Sequence, residues 1–115
     1  MLAIDCKRGE IYLVNWNPSR GSEQAGIRPA VIIQNDVGNS LSTTTIVAAC
    51  STAPVKDYPF IVRVTAKETG LDKDSSINLA QIMTIARDRL QRKIGQLPPG
   101  KITKLNAAIK NSLEL

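Results

Sequence analysis

A polar, glycine-bounded run, Gly21-Ser22-Glu23-Gln24-Ala25-Gly26-Ile27-Arg28-Pro29, leads directly into the apolar stretch Ala30-Val31-Ile32-Ile33 and then Gln34-Asn35. It gathers a hydroxyl, a carboxylate, an amide and a guanidinium in one loop. The arginine offers a fixed fork of donors to phosphate oxygens and stays protonated, so Arg28 suits charge stabilisation and is a poor general base. Glu23 is the natural carboxylate to consider as a base, while Ser22 and Gln24 could hydrogen-bond a substrate or shape the loop. The plainer alternatives are a loop that satisfies its own backbone and an Arg28 held in a structural ion pair with Glu23 or Asp36. Pro29 biases the residue before it toward an extended backbone, which fixes the direction in which the Arg28 side chain leaves.

Composition narrows the chemistry. The chain of 115 residues contains no histidine and two cysteines, Cys6 and Cys50, without metal-ligand spacing. Histidine-dependent catalysis is therefore excluded, and no metal site or cofactor is expected. A disulfide stays open at this level, although two cysteines without a visible signal peptide suggest a reduced, cytoplasmic protein. The start, Met1 to Arg8, is too short and polar for an export signal, and no apolar run approaches the roughly 18 residues of a membrane span. The formal charge is +5, with seven basic residues and only Asp88 on the acidic side between Arg87 and Lys110. Such a balance favours a polyanionic partner without identifying it, and a basic run can equally be a solvated face.

The surrounding elements follow from patterning. Ile11 to Trp16 reads as a first strand, and the eleven residues from Asn17 to Ile27 form a long loop of turn formers. Pro29 opens a second strand whose core is Ala30 to Ile33. Asn35 to Ser40 is a turn cluster, and Thr43 to Cys50 is a third strand with Ser51 and Thr52 at its end. Phe60 to Val64 is a fourth strand, and Thr65 to Asp74 is a loop with room for one helical turn. Ser76 to Leu79 and Ile82 to Ile85 look like short strands whose apolar phase shifts near Gln81, which suggests a bulge. Arg87 to Leu90 suggests a short helical turn. After Pro98-Pro99-Gly100, the spacing of Ile102, Leu105, Ile109 and Leu113 predicts an amphipathic helix of about four turns. The expected fold is mainly β: five to seven short strands forming a small, partly open barrel closed by one C-terminal helix, in a single domain over residues 1–115.

The segments Arg8-Gly9-Glu10-Ile11-Tyr12, Gly21-Ser22-Glu23-Gln24, Gly26-Ile27-Arg28-Pro29 and Gln34-Asn35-Asp36 resemble the opening of the MazF/PemK family of toxin–antitoxin ribonucleases. The likeness continues through Ile46-Val47-Ala48-Ala49, Gln81-Ile82-Met83-Thr84-Ile85 and the terminal helix. The resemblance implies an SH3-like barrel of the MazF/CcdB toxin type, a homodimer, and sequence-selective, metal-independent cleavage of single-stranded RNA, chiefly mRNA. It also implies a cognate antitoxin with a flexible acidic segment. The family's catalytic pair maps onto Arg28 and, at the end of the third strand, onto Ser51, where the family carries threonine. Thr52 is the alternative by a one-residue shift, and Ser51 is preferred because the neighbouring apolar run aligns without a gap. Glu23 and Thr52 are candidates for catalysis or RNA contact, and Ser22, Gln24, Gln81 and Thr84 are candidates for RNA contact or structure.

Cleavage without a metal commonly uses the RNA 2′-hydroxyl as nucleophile, so the protein must help move two protons and stabilise a phosphorane. A serine hydroxyl can donate to a phosphate oxygen or to the leaving 5′-oxygen, without the methyl group that restrains threonine. Four aromatics, Tyr12, Trp16, Tyr58 and Phe60, leave little for extensive base stacking. Trp16 borders the loop as either a stacking platform or, preferably, a core or dimer-interface residue. Two other classes compete: a non-enzymatic toxin of the CcdB type that binds gyrase, and an inactive RNA-binding relative. The first is disfavoured by the Gly-Ser-Glu-Gln and Arg-Pro motifs and by a terminus, Leu113-Glu114-Leu115, without tryptophan. The second is motivated by serine in place of threonine at position 51.

Overall fold

Apolar runs that alternate or stay buried on both faces are the natural middle of a sheet, and three of them take that place. In the computed structural model, which describes residues 5–17 and 26–115, the chain forms β1 (Glu10–Asn15), β2 (Ile27–Ile32), α1 (Asp36–Leu41), β3 (Thr44–Ser51), β4 (Ile61–Val64), α2 (Ala66–Thr69), β5 (Ser75–Ala86), a 3-10 turn (Arg87–Arg89), β6 (Leu90–Gln96) and α3 (Pro99–Leu113). The strands make one six-stranded antiparallel sheet in the order β4-β5-β3-β2-β1-β6. Its two ends, β4 and β6, do not pair with each other, so the barrel is open, as expected.

Side chains alternate between the two faces of the sheet, and each face carries its own core. On one face Ile11, Val31, Ala48, Cys50, Val62, Val64, Ile77 and Leu79 pack with Leu105 and Ala108 of α3. The expected helical stripe is thus the lid of this core, although Leu113 at its end stays exposed. On the other face Cys6, Tyr12, Val14, Trp16, Ala30, Ile32, Val47, Ile85 and Leu90 form a second cluster. The two cysteines therefore lie in different cores, and both are free thiols.

Three details differ from the sequence expectation. The Asn35 to Ser40 turn cluster is a short helix: the Asn35 side chain accepts the Gly38 N–H as an N-cap, and Asn39 is buried. Small polar residues favour turns and helix starts for the same reason, local bonding to the backbone, and tertiary burial of Asn39 decided between them. The two short strands around Gln81 are one strand, β5, with a register break: Ala48 faces Ile82 while Ala49 faces Asn78. The extra residues, Leu79 to Gln81, form the bulge that the shift in apolar phase announced. Finally, β6 was not anticipated. Its burial pattern places only Leu90 fully inside, because an edge strand needs few apolar positions.

No helix among the described residues is long and apolar enough to cross a membrane.

Candidate active site

The β2–β3 ladder ends two residues short of Arg28 and Ser51, the two halves of the expected site. Its paired residues are Ala30 with Ala49, Val31 with Ala48 and Ile32 with Val47. Extending that register outward by two residues sets Arg28 opposite Ser51, and directly opposed residues in an antiparallel pair share a face of the sheet. Both residues are exposed. They sit at the rim of the face that carries the second core, since Arg28 is in line with Ala30 and Ile32 and is paired on its other side with Val14.

Ser51 is held in a definite posture. Its Oγ accepts the N–H of Ala53 at 3.0 Å. With that lone pair engaged, the hydroxyl proton is left to donate outward, which is the role required toward a phosphate or a leaving oxygen. Thr52 follows the end of β3 and lines a separate depression of about 430 Å³ with Arg63, Thr65, Asp74 and Lys101. Adjacent to Ser51 in sequence, Cys50 points into the α3-side core, where burial pushes its thiol up to about 11. A thiol in that condition is a packing group rather than a nucleophile.

The remaining expected residues fall in different places. Gln81 is exposed in the β5 bulge beside Ala48 and Ala49, two positions up β3 from Ser51. Thr84 is opposite Ile46 and shares its face with Ile82 and Ala48, so the sheet separates it from the Arg28–Ser51 row. Ser22, Glu23 and Gln24 lie outside the described residues, so no contact is assigned to them.

The neck of the loop that bears them is built in detail. Trp16 N–H donates to the carbonyl of Gly26 at 2.9 Å, one rung beyond the last β1–β2 pair, Asn15 with Ile27. Gly26 has φ of +73° and donates its N–H to Asn17 Oδ1 at 3.1 Å. A side chain at that φ would be strained, so this position needs glycine. The Trp16 indole N–H reaches across to the carbonyl of Arg28 at 3.3 Å. Arg89, from the 3-10 turn, places Nη1 on the carbonyls of Asn15 and Asn17 at 3.0 and 2.5 Å. Trp16 is 6% exposed, which settles it as a core residue and removes it as a base-stacking platform. Patterning offered no signal for Arg89, because its partners are backbone carbonyls more than seventy residues away.

No group of three or more Cys, Asp or Glu side chains among the described residues is arranged to hold a metal ion. What the described part of the site offers is a guanidinium and a hydroxyl at one exposed rim of the sheet.

Comparison with known proteins identifies the family. A family model described as PemK-like, MazF-like toxin of type II toxin-antitoxin system matches residues 7–113. Endoribonuclease MazF of Staphylococcus saprophyticus is 46% identical over 110 residues, covering 95% of this chain and 92% of that protein. Endoribonuclease EndoA of Bacillus subtilis is 44% identical over 110 residues, covering 95% of each. The fold is shared with crystalline MazF from Deinococcus radiodurans, with a TM-score of 0.80 at 20% identity over 97% of this chain and 99% of that one. It is equally shared with a mycobacterial endoribonuclease solved in complex with its cognate antitoxin, with a TM-score of 0.79 at 21% identity over 96% of both chains. With that family model matched over residues 7–113 and relatives 44–46% identical over 95% of its length, the chain belongs to the PemK-like, MazF-like toxins of type II toxin–antitoxin systems.

Proposed function

We propose that this chain, acting as one domain over residues 1–115, cuts single-stranded RNA at selected sequences without a metal ion, and that mRNA is its target in the cytoplasm. It is the endoribonuclease toxin of a type II toxin–antitoxin pair, as its relatives' names imply. Its partners are RNA, a second copy of the chain, and a cognate antitoxin whose flexible acidic segment complements the net charge of +5.

The observation that supports the reading is the β2–β3 register, which, continued two residues past its last pair, would set Arg28 opposite Ser51 at an exposed rim. In the reaction the 2′-oxygen forms a bond to the adjacent phosphorus, its proton leaves to a base, and the bond from phosphorus to the 5′-oxygen breaks. Products are a 2′,3′-cyclic phosphate and a 5′-hydroxyl. Arg28 supplies fixed donors to the non-bridging oxygens, where negative charge grows in the phosphorane. Ser51 donates its hydroxyl proton to a phosphate oxygen or toward the leaving 5′-oxygen, supported by the hydrogen bond its oxygen accepts from Ala53. Glu23 is the carboxylate assigned to the 2′-proton, and Ser22, Gln24 and Gln81 are assigned to RNA contact. Thr84 is left as a contact for RNA on the other face, and Thr52 as the hydroxyl that would replace Ser51.

The test is cleavage of a long mixed-sequence RNA in EDTA, with end mapping. Wild-type protein is expected to yield 2′,3′-cyclic phosphate ends, Arg28→Ala to lose at least about a hundredfold in rate, as loss of one preorganised charge donor does, and Ser51→Thr to cut at least as fast as wild type. RNA that stays intact with folded protein, but is cut after Ser51→Thr, would identify an inactive RNA-binding relative instead. Loss of cutting on chelation would end the metal-free mechanism.

A further inference from the structure

Arg28 lies near the outer end of the β1–β2 ladder. Pairing of β2 with β3 stops at Ala30 and Ala49, and the sheet continues to Arg28 on the β1 side, where Arg28 pairs with Val14. That ladder itself ends at Asn15 and Ile27, one pair further out. Terminal pairs of a two-stranded ladder open readily. A group that must meet a phosphate to within a fraction of an ångström needs more than this.

Two side chains brace this end of the ladder. The Trp16 indole N–H caps the carbonyl of Arg28 itself, and the Trp16 backbone N–H adds a rung to Gly26. Arg89 gathers the carbonyls of Asn15 and Asn17 on either side of Trp16, and Asn17 in turn receives the N–H of Gly26. Charge-assisted bonds to backbone carbonyls are the stronger kind, and Trp16 is buried, so its ring has no freedom to swing away. We propose that Trp16 and Arg89 are positioning residues for RNA cleavage: they lock the neck of the loop so that the Arg28 guanidinium is presented to the scissile phosphate. Neither touches the reacting atoms. The proposal rests on the reading that Arg28 is catalytic.

The chain has a single tryptophan, so one indole N–H resonance reports this clamp without ambiguity. Three variants divide the contributions: Trp16→Phe removes the N–H and keeps a ring, Arg89→Gln removes the charge, and Arg89→Lys keeps it. The probe is an RNA carrying one cleavage site, together with its analogue lacking the reactive 2′-hydroxyl. The expected result is a fall in kcat of about tenfold for Trp16→Phe and Arg89→Gln, within the range that small misplacements cost. KM and the dissociation constant of the uncleavable analogue should stay within about twofold, a change worth well under one unit of RT ln 10. Arg89→Lys should recover part of the rate, and in Arg89→Gln the indole resonance should move or broaden. Wild-type kcat in Arg89→Gln with a displaced indole signal would overturn the proposal. So would a loss confined to binding, with the salt slope reduced by about one, which marks Arg89 as a phosphate ligand. Arg28→Ala is run alongside: if it still cuts RNA, the catalytic reading itself fails, whereas an inactive Arg28→Ala with fully active Trp16→Phe and Arg89→Gln refutes only the positioning role.

Discussion

Burial changes what individual residues can do. Cys50 and Cys6 are both buried, and burial raises both thiols from the ordinary value. For Cys50 the pH consequence has a definite sign. The thiolate is the form that burial disfavours, so the folded chain keeps this proton up to about 11 while the unfolded chain releases it near the ordinary 9.0. The associated stability is complete below pH 9 and is lost as pH rises toward 11. Tyr12, pushed up to about 12 chiefly by burial and then by the nearby Glu10 charge, acts in the same direction at still higher pH. Urea unfolding measured at pH 8 and at pH 10.5 should therefore show a drop in the wild-type chain that is smaller in Cys50→Ala. Equal drops would place the alkaline weakness elsewhere. Ser51, one residue along, is exposed where Cys50 is buried, because a strand turns successive side chains to opposite faces.

At the scale of elements, α1 is the piece whose existence depends most on partners elsewhere. Six residues make too short a helix to persist alone. It is tied down through Asn39, which is 1% exposed. The Asn39 Oδ1 accepts from Gln34 Nε2 and from Thr45 Oγ1, at 3.0 and 2.8 Å, and its amide donates to the carbonyl of Gln34 at 3.0 Å. The Asn39 carbonyl also receives Arg87 Nη1 at 2.8 Å, which links α1 to the 3-10 turn that carries Arg89. Asn39→Ala leaves the buried Thr45 hydroxyl without its acceptor and takes one of two bonds from the half-buried Gln34 amide, and should cost about 2 kcal/mol, in the range for an orphaned buried polar group. A denaturant midpoint shifted by that much is the check. An unchanged midpoint would mean that water replaces the amide fully. The helix α3 behaves in the opposite way: its apolar stripe is strong enough in sequence to declare both the element and its buried face, with Leu105 and Ala108 at the centre.

Over the whole molecule, two cores back one sheet, and the site lies on a rim where strands of different length end. The charge of +5 belongs to this scale as well. An RNA ligand held partly through phosphates releases counterions on binding, so affinity should fall steeply with salt, by about 0.7 power of concentration for each phosphate contacted on a single strand. Titration of the uncleavable analogue between about 50 and 200 mM salt measures that slope. A slope near zero would mean that base contacts dominate and that the basic surface serves another partner.

Much of the architecture was legible from local pattern. The β-branched runs, the Pro29 strand entry, the shift in apolar phase at Gln81 and the stripe from Ile102 to Leu113 each declared an element, because short-range periodicity is imposed by the faces those residues must bury. Arg28 was legible as a site candidate from residue type and from its loop, and Ser51 through the family's motif. The strand β6 and the helix α1 were not, since one is an edge with few apolar positions and the other is a polar turn until Asn39 is buried. That Arg28 and Ser51 fall on one face is a consequence of strand order and register, and Arg89 reaches backbone carbonyls 74 and 72 positions away that carry no sequence signature. The sequence by itself determined which groups were available for chemistry: a guanidinium, hydroxyls and carboxylates, and no imidazole. Tertiary structure alone decided which of them meet, because non-local pairing fixes side-chain direction across strands while composition and spacing fix only the face within one.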